Sequence, residues 1–208
     1  MSQSGFRPRL VWSMVMLAFV LWFITFYLGG LNFWIKISFS AATLGALSVW
    51  AHTLRDNKLP FDKTAFIQGL IAAVVLYIIF WAGQRASSYI FPFASHQVSA
   101  IYGKGAGFSR LSIFLLLLLV TGPCEEIFWR GFLQHNLMNR YGEFPGWFLA
   151  TAIYTGVHIW SFNFMLIGAA AVAGAFWGFL YMKLKRLDTL IICDSLWSAC
   201  IFAVVPLM

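Results

Sequence analysis

Seven long apolar runs separated by short polar connections limit what this chain can fold into. They cover roughly Leu10 to Leu28, Phe33 to Leu54, Thr64 to Gly83, Leu111 to about Arg140, Pro145 to about Trp160, Phe164 to Met182 and Thr189 to Val205. About 20 apolar residues at 1.5 Å per residue cross the hydrocarbon of a bilayer. Water is absent there, so each run must satisfy its own backbone N–H and C=O groups, which a helix does within one segment. The pattern predicts an all-α protein, a polytopic transmembrane helix bundle of about seven helices. Charged residues make up only 10% of the 208, which leaves little for a separate soluble domain.

The connections carry the topology. With Arg7 and Arg9 in the cytoplasm, threading the runs puts Arg55, Lys58, Lys63, Arg140, Lys183, Lys185 and Arg186 on the same side. Lys36, Arg85, Lys104 and Arg110 fall opposite, so the positive-inside rule predicts a cytoplasmic amino terminus. The net charge of +7 is scattered over span ends, not gathered in a patch, and no nucleic-acid partner is expected. No small-residue cleavage site follows the first run, so it reads as a retained anchor. Cys124, Cys193 and Cys200 lack CxxC spacing and read as reduced packing residues. Residues 85–110 contain the glycine-rich YGKGAGFSR and read as a flexible external loop, with an interfacial stretch around Tyr89 to Phe93. The chain divides on this reading into three helices (1–84), that loop, and a four-helix core (111–208), all within one transmembrane domain, 1–208. In the fourth run Pro123 removes one backbone bond, which predicts a kink in a long helix.

The polar residues inside the runs carry the chemistry. Glu125 and Glu126 lie 15 and 14 positions before Arg140, so at 1.5 Å per residue Glu125 is roughly 22 Å along the helix from its cytoplasmic end. A charge at such depth costs at least about 2.5 kcal/mol, so two adjacent carboxylates need partners or a task. Arg130 is at i+4 from Glu126 and can pair with it, while Glu125, turned by about 100°, is left to face a cavity. Glu125 is the candidate general base. The same spacing is also compatible with an ion-pair network that only locks the helix. His158 stands about 13 residues beyond Pro145 on the next helix, roughly 20 Å from the same edge, a depth that matches Glu125. Tyr154, one turn earlier, faces the same way and either lines the cavity or packs. Asp194 is the other acid within a span, with Ser198 one turn further on. His52, His96 and His135 lie near interfaces or in connections and are given no role.

EEIFWR (Glu125 to Arg130), YTGVH (Tyr154 to His158) and DSLWS (Asp194 to Ser198), in that order on three hydrophobic helices, resemble the CPBP family of intramembrane proteases. That family includes the CAAX prenyl endopeptidases of the Rce1 type and the Abi-type bacterial proteins. The resemblance covers about the last hundred residues. It implies that Glu125 activates water, that Glu126 and Arg130 are its supporting pair, and that His158 is the first essential histidine. Tyr154 stands where the family usually has phenylalanine, and the family's HxxxN becomes Asp194 and Ser198, so the second histidine is absent. The resemblance further implies that His158 and the last motif stabilise an oxyanion or hold a metal. Glu125, His158 and Asp194 would make a donor set suited to Zn²⁺ with an open water position.

The function so implied is an intramembrane (metallo)endopeptidase in a bacterial plasma membrane, hydrolysing a membrane-associated peptide or protein that enters from the bilayer or the cytoplasm. Two other readings remain open at this point: an inactive membrane scaffold or bacteriocin-immunity protein, and a small proton-coupled carrier, although the chain shows no internal repeat. For the topology, a single cysteine placed at Lys185 in a cysteine-free background is expected to react with an impermeant maleimide only after the membrane is opened. Labelling of intact cells would reverse the orientation.

Overall fold

The computed structural model describes residues 7–51, 53, 57 and 59–207. Leu54, Arg55 and Lys58, used in the topology argument, and His52 lie outside the described residues. The described chain forms α1 (Pro8–Tyr27), α2 (Phe33–Trp50), α3 (Lys63–Ile90), α4 (Ala94–Gly103), α5 (Arg110–Tyr141), α6 (Glu143–Val157), α7 (Phe164–Leu184) and α8 (Leu187–Val204), with no strand among the described residues. The protein is an all-α helical bundle, as its apolar runs require. Six of these helices, all but α4 and α6, are long and apolar enough to cross a membrane.

Two segments differ from the sequence expectation. The Pro145 to Trp160 run yields only the 15-residue α6, which tightens into a 3-10 turn over His158–Ser161 and reverses at Phe162, whose φ is +48°. The side chain of Asn163 then caps α7 by accepting from the Leu166 amide at 2.9 Å. Residues 85–110 are mostly helical, because α3 runs on to Ile90 and α4 follows. Hydropathy marks where lipid ends, and polar residues beyond that point can still be helical. Gln97 of α4 is tied to the α6–α7 turn: its carbonyl accepts from Asn163 Nδ2 at 2.9 Å and its Oε1 from the Met165 amide at 3.0 Å.

The expected irregularity at Pro123 takes the form of a π-helical turn over Leu117–Thr121. The Gly122 amide donates to Leu117 O, five residues back, just ahead of the ring that has no N–H to give. At this point α5 meets α8: a Cβ on Gly122 would lie 2.7 Å from Ser195 Oγ and 2.8 Å from its Cα. Such close approach is how helices associate where no hydrophobic drive separates them from lipid. The central helix α8 is 72% buried along its span, against 28–44% for the other spanning helices.

At one end of the bundle, polar contacts tie the helix ends together. Lys185 Nζ pairs with Glu143 Oε1 at 2.9 Å, joining the end of α7 to the start of α6. Arg186 grips the buried Asp188 through Nη2 to Oδ2 at 2.6 Å and Nε to Oδ1 at 3.2 Å, and also reaches Asp62 Oδ1 at 3.0 Å. Asp62 caps α3 by accepting from the Ala65 amide at 2.8 Å. That amide, and then Arg186, hold the Asp62 carboxyl below the usual range.

Gly146 sits where α6 lies against α5, and a Cβ there would fall 2.4 Å from Met138 N and 2.5 Å from its Cα, both backbone atoms that cannot swing aside. Gly168 has nothing within 4 Å of the same position. Gly146→Ala is therefore expected to cost about 3 kcal/mol or more by overpacking. At about 2–4 °C per kcal/mol, its melting temperature in detergent should fall by several degrees. Gly168→Ala should melt within a degree or so of the parent, and equal melting of the two variants would contradict the packing described.

Candidate active site

Consecutive helical residues are turned by about 100°, and α5 uses that rotation to separate its two carboxylates. Glu126 is fully buried and pairs through Oε1 with Arg130 Nη1 at 2.6 Å, so the i, i+4 pairing expected from the sequence is present. Arg130 is 2% exposed, and its guanidinium lies 4.9 Å from the Tyr154 ring centroid on one helix and 5.0 Å from that of Trp177 on another. Three helices, α5, α6 and α7, thus close on one cation. Neither Glu126 nor Arg130 is among the residues lining the cavity that Glu125 faces, so the pair sits behind the site and not within it.

Glu125 faces a cavity of about 460 Å³ within the bundle. His158, Tyr154, Asp194 and Ser198 line the same cavity, so the structure brings together residues up to 73 positions apart in the chain. Glu125 and Asp194 are close enough for their charges to interact. Ser198 Oγ donates to Asp194 Oδ1 at 2.7 Å, one turn apart on α8. The rest of the wall is mainly apolar.

His158 is held from two sides. Its Nδ1 lies 2.8 Å from the carbonyl of Tyr154, an acceptor only, so Nδ1 carries the proton and donates. In the neutral ring Nε2 then holds a lone pair, which accepts a long hydrogen bond of 3.4 Å from the indole N–H of Trp22 on α1. Trp22 is fully buried and meets Trp129 edge-to-face at 5.5 Å, and Tyr154 meets His158 at 5.0 Å. Trp22 and Trp177 are the site's unforeseen members. In a chain with ten tryptophans, several of them at span ends, nothing local distinguishes these two.

The donor set suggested for Zn²⁺ does not fit this arrangement. Among the described residues no three His, Cys, Asp or Glu side chains are grouped so as to hold a metal ion. His158 donates Nδ1–H to Tyr154, which leaves Nε2 as its one possible ligand atom, and Asp194 accepts from Ser198. Glu125, His158 and Asp194 share a cavity wall without converging on a common point.

The fold and site define an integral membrane protein of the polytopic helical class, with acids and a histidine around an internal cavity. Residues 107–200 match the family described as type II CAAX prenyl endopeptidase Rce1-like, a stretch that contains Glu125, Glu126, Arg130, His158, Asp194 and Ser198. The resemblance carried by the motifs is thereby shown at the level of the family. No curated protein and no solved structure matches the chain.

The pair behind the wall and the residue on it should respond differently to mutation. Removing one partner of a buried ion pair leaves the other charge unpaired, at about 3–5 kcal/mol. Glu126→Ala is thus expected to lower detergent-solubilised stability sharply, while Glu125→Ala, which opens only onto the cavity, should change it much less. Comparable thermal shifts for the two would show that Glu126 and Arg130 are not a structural clamp.

Proposed function

We propose that this protein is an intramembrane endopeptidase that hydrolyses a peptide bond of a membrane-associated peptide or protein with water activated by Glu125. The observation that carries this reading is the shared cavity of Glu125, His158, Asp194 and Ser198, while the Arg130 charge is consumed by Glu126 behind the wall. A base needs a free carboxylate aimed at space that can hold water and substrate, and Glu125 has both. The apolar helices and the family match over residues 107–200 support this reading; catalysis by these residues is the step added here.

In the proposed reaction a water molecule lies between Glu125 and the scissile carbonyl. The Glu125 carboxylate takes one proton from the water as its oxygen bonds to the carbonyl carbon, whose π electrons move onto the oxygen. Collapse of that tetrahedral centre breaks the C–N bond, and Glu125 returns the proton to the departing amine. His158 accepts a hydrogen bond from the water at Nε2 once the long bond from Trp22 gives way, and so fixes its direction; in this tautomer it does not donate to an oxyanion. Asp194 and Ser198 line the same cavity, where the Ser198 hydroxyl is the group able to turn and donate. No step is assigned to a metal, since the donors do not converge.

The cavity walls run toward Gln84, Phe91, Tyr102 and Lys104 and include nothing from the end that carries Arg140 and Lys183 to Arg186. With that basic end cytoplasmic, as the sequence predicts, the cavity faces away from the cytoplasm. The bilayer, through the lipid-facing side between α3 and α7, is then the route the walls serve. One observation favours a second reading, a scaffold without activity: Asp194 and Ser198 satisfy each other where the family pattern has histidine and asparagine.

Comparing the membrane peptidome of cells carrying the wild type and Glu125→Gln decides between them. Loss of a general base is expected to slow cleavage about 10²-fold or more at unchanged protein levels. Asp194→Ala should reduce activity strongly and Asp194→His should retain part of it. Identical peptidomes would favour the scaffold, and full activity of Asp194→Ala would leave the work to Glu125 and His158.

A further inference from the structure

The short helix α4 is amphipathic. Val98, Ile101 and Tyr102, at i, i+3 and i+4, line the cavity, while Ser95, His96 and Ser99 are exposed. The helix packs against α3 and α7, the two helices that flank the lipid-side route to the cavity. Of its ten residues only Ala94 is buried, and no side chain caps its start. So thin an apolar attachment marks a segment that opens while the rest of the bundle stays folded.

The two ends of α4 differ. Its start is held by rings: Phe164, at the head of α7, meets Phe91 at 5.6 Å and Phe93 at 6.0 Å. Its far end runs into Gly103, Gly105 and Gly107, the last with a φ of +77°, a stretch whose backbone changes angle at little cost. Two sets of hydrogen bonds restrain the helix between them. Gln97 accepts from Asn163 Nδ2 through its carbonyl and from the Met165 amide through Oε1, and Met165 itself lines the cavity. Further on, the Tyr102 hydroxyl accepts from the Leu207 amide at 3.0 Å. Leu207 lies beyond α8, is 7% exposed and also lines the cavity, so its amide needs an acceptor from within the protein. Through α4 the α6–α7 turn is thus tied to the segment that follows α8. Each of these bonds has a side chain on one side, so all of them can break without unwinding a helix.

We propose that α4 is a lid on the cavity, hinged at Phe91–Phe93 and latched by Gln97 and Tyr102, and that release of the two latches admits the peptide. The inference rests on the endopeptidase reading for what enters; the lid itself rests on the contacts of α4.

Access to the cavity can be measured without cleavage. A single cysteine replaces Ala173, which lines the cavity and is 3% exposed, in the cysteine-free, detergent-solubilised full chain, and its rate of reaction with a charged, water-soluble methanethiosulfonate is followed. Tyr102→Phe and Gln97→Met each remove one acceptor and keep the bulk of the side chain. Each is expected to raise the rate about fivefold, as the loss of one hydrogen bond from the closed form provides, and the pair by about the product. A cysteine placed instead at Ala18, buried in α1 and outside the cavity lining, reports general loosening and should react no faster in either variant. Unchanged rates at position 173 in both variants, or parallel increases at positions 18 and 173, would overturn the lid and leave the endopeptidase reading intact. Latch-dependent labelling together with identical peptidomes for wild type and Glu125→Gln would keep the lid and remove the endopeptidase reading.

Discussion

The structure depends on how one buried cation is neutralised. Arg130 lies in the interior of a protein whose surroundings are lipid, where an uncompensated charge would be prohibitive. Glu126 supplies the counter-charge from the same helix, and the rings of Tyr154 and Trp177 cover the guanidinium from two others. The pair therefore gathers α5, α6 and α7 around one point. It also spares Glu125, since the cation that might have neutralised it is already engaged.

From this clamp the geometry passes to the site. Tyr154 lies against Arg130 with its ring and holds His158 Nδ1 with its carbonyl, so the residue that covers the cation also orients the imidazole. Trp22 approaches the remaining nitrogen from α1, well outside residues 107–200. The N-terminal helices carry no motif, yet they supply Phe26, Phe33, Trp34, Ile37, Ile79 and Phe80 to the cavity wall. The motif-bearing stretch holds the chemistry, and the helices before it help to enclose it.

Much of this was legible before any contact was known, because membrane insertion makes strong local demands. Apolar runs of about 20 residues had to be helices. The i, i+4 relation of Glu126 and Arg130 and the 100° turn to Glu125 follow from helix geometry alone. The matched depths of Glu125 and His158 required only a count along two antiparallel helices. Asp194, one turn before Ser198 on the last span, does line the same cavity.

What the sequence by itself determined is the helical class, the identity of the buried polar residues and which of them share a turn, since each is a matter of residue spacing and the cost of polarity in lipid. Tertiary structure alone decided that α6 stops at Val157, that residues 85–110 are largely helical, that Trp22 and Trp177 join the site, and that Glu125, His158 and Asp194 line one wall without meeting at a point. The physical reason is common to all four. Hydropathy reports the solvent around a segment, whereas the end of a helix, the partner of an indole and the distance between donors on different helices are set by side chains remote in the chain, and these meet only when the bundle has closed.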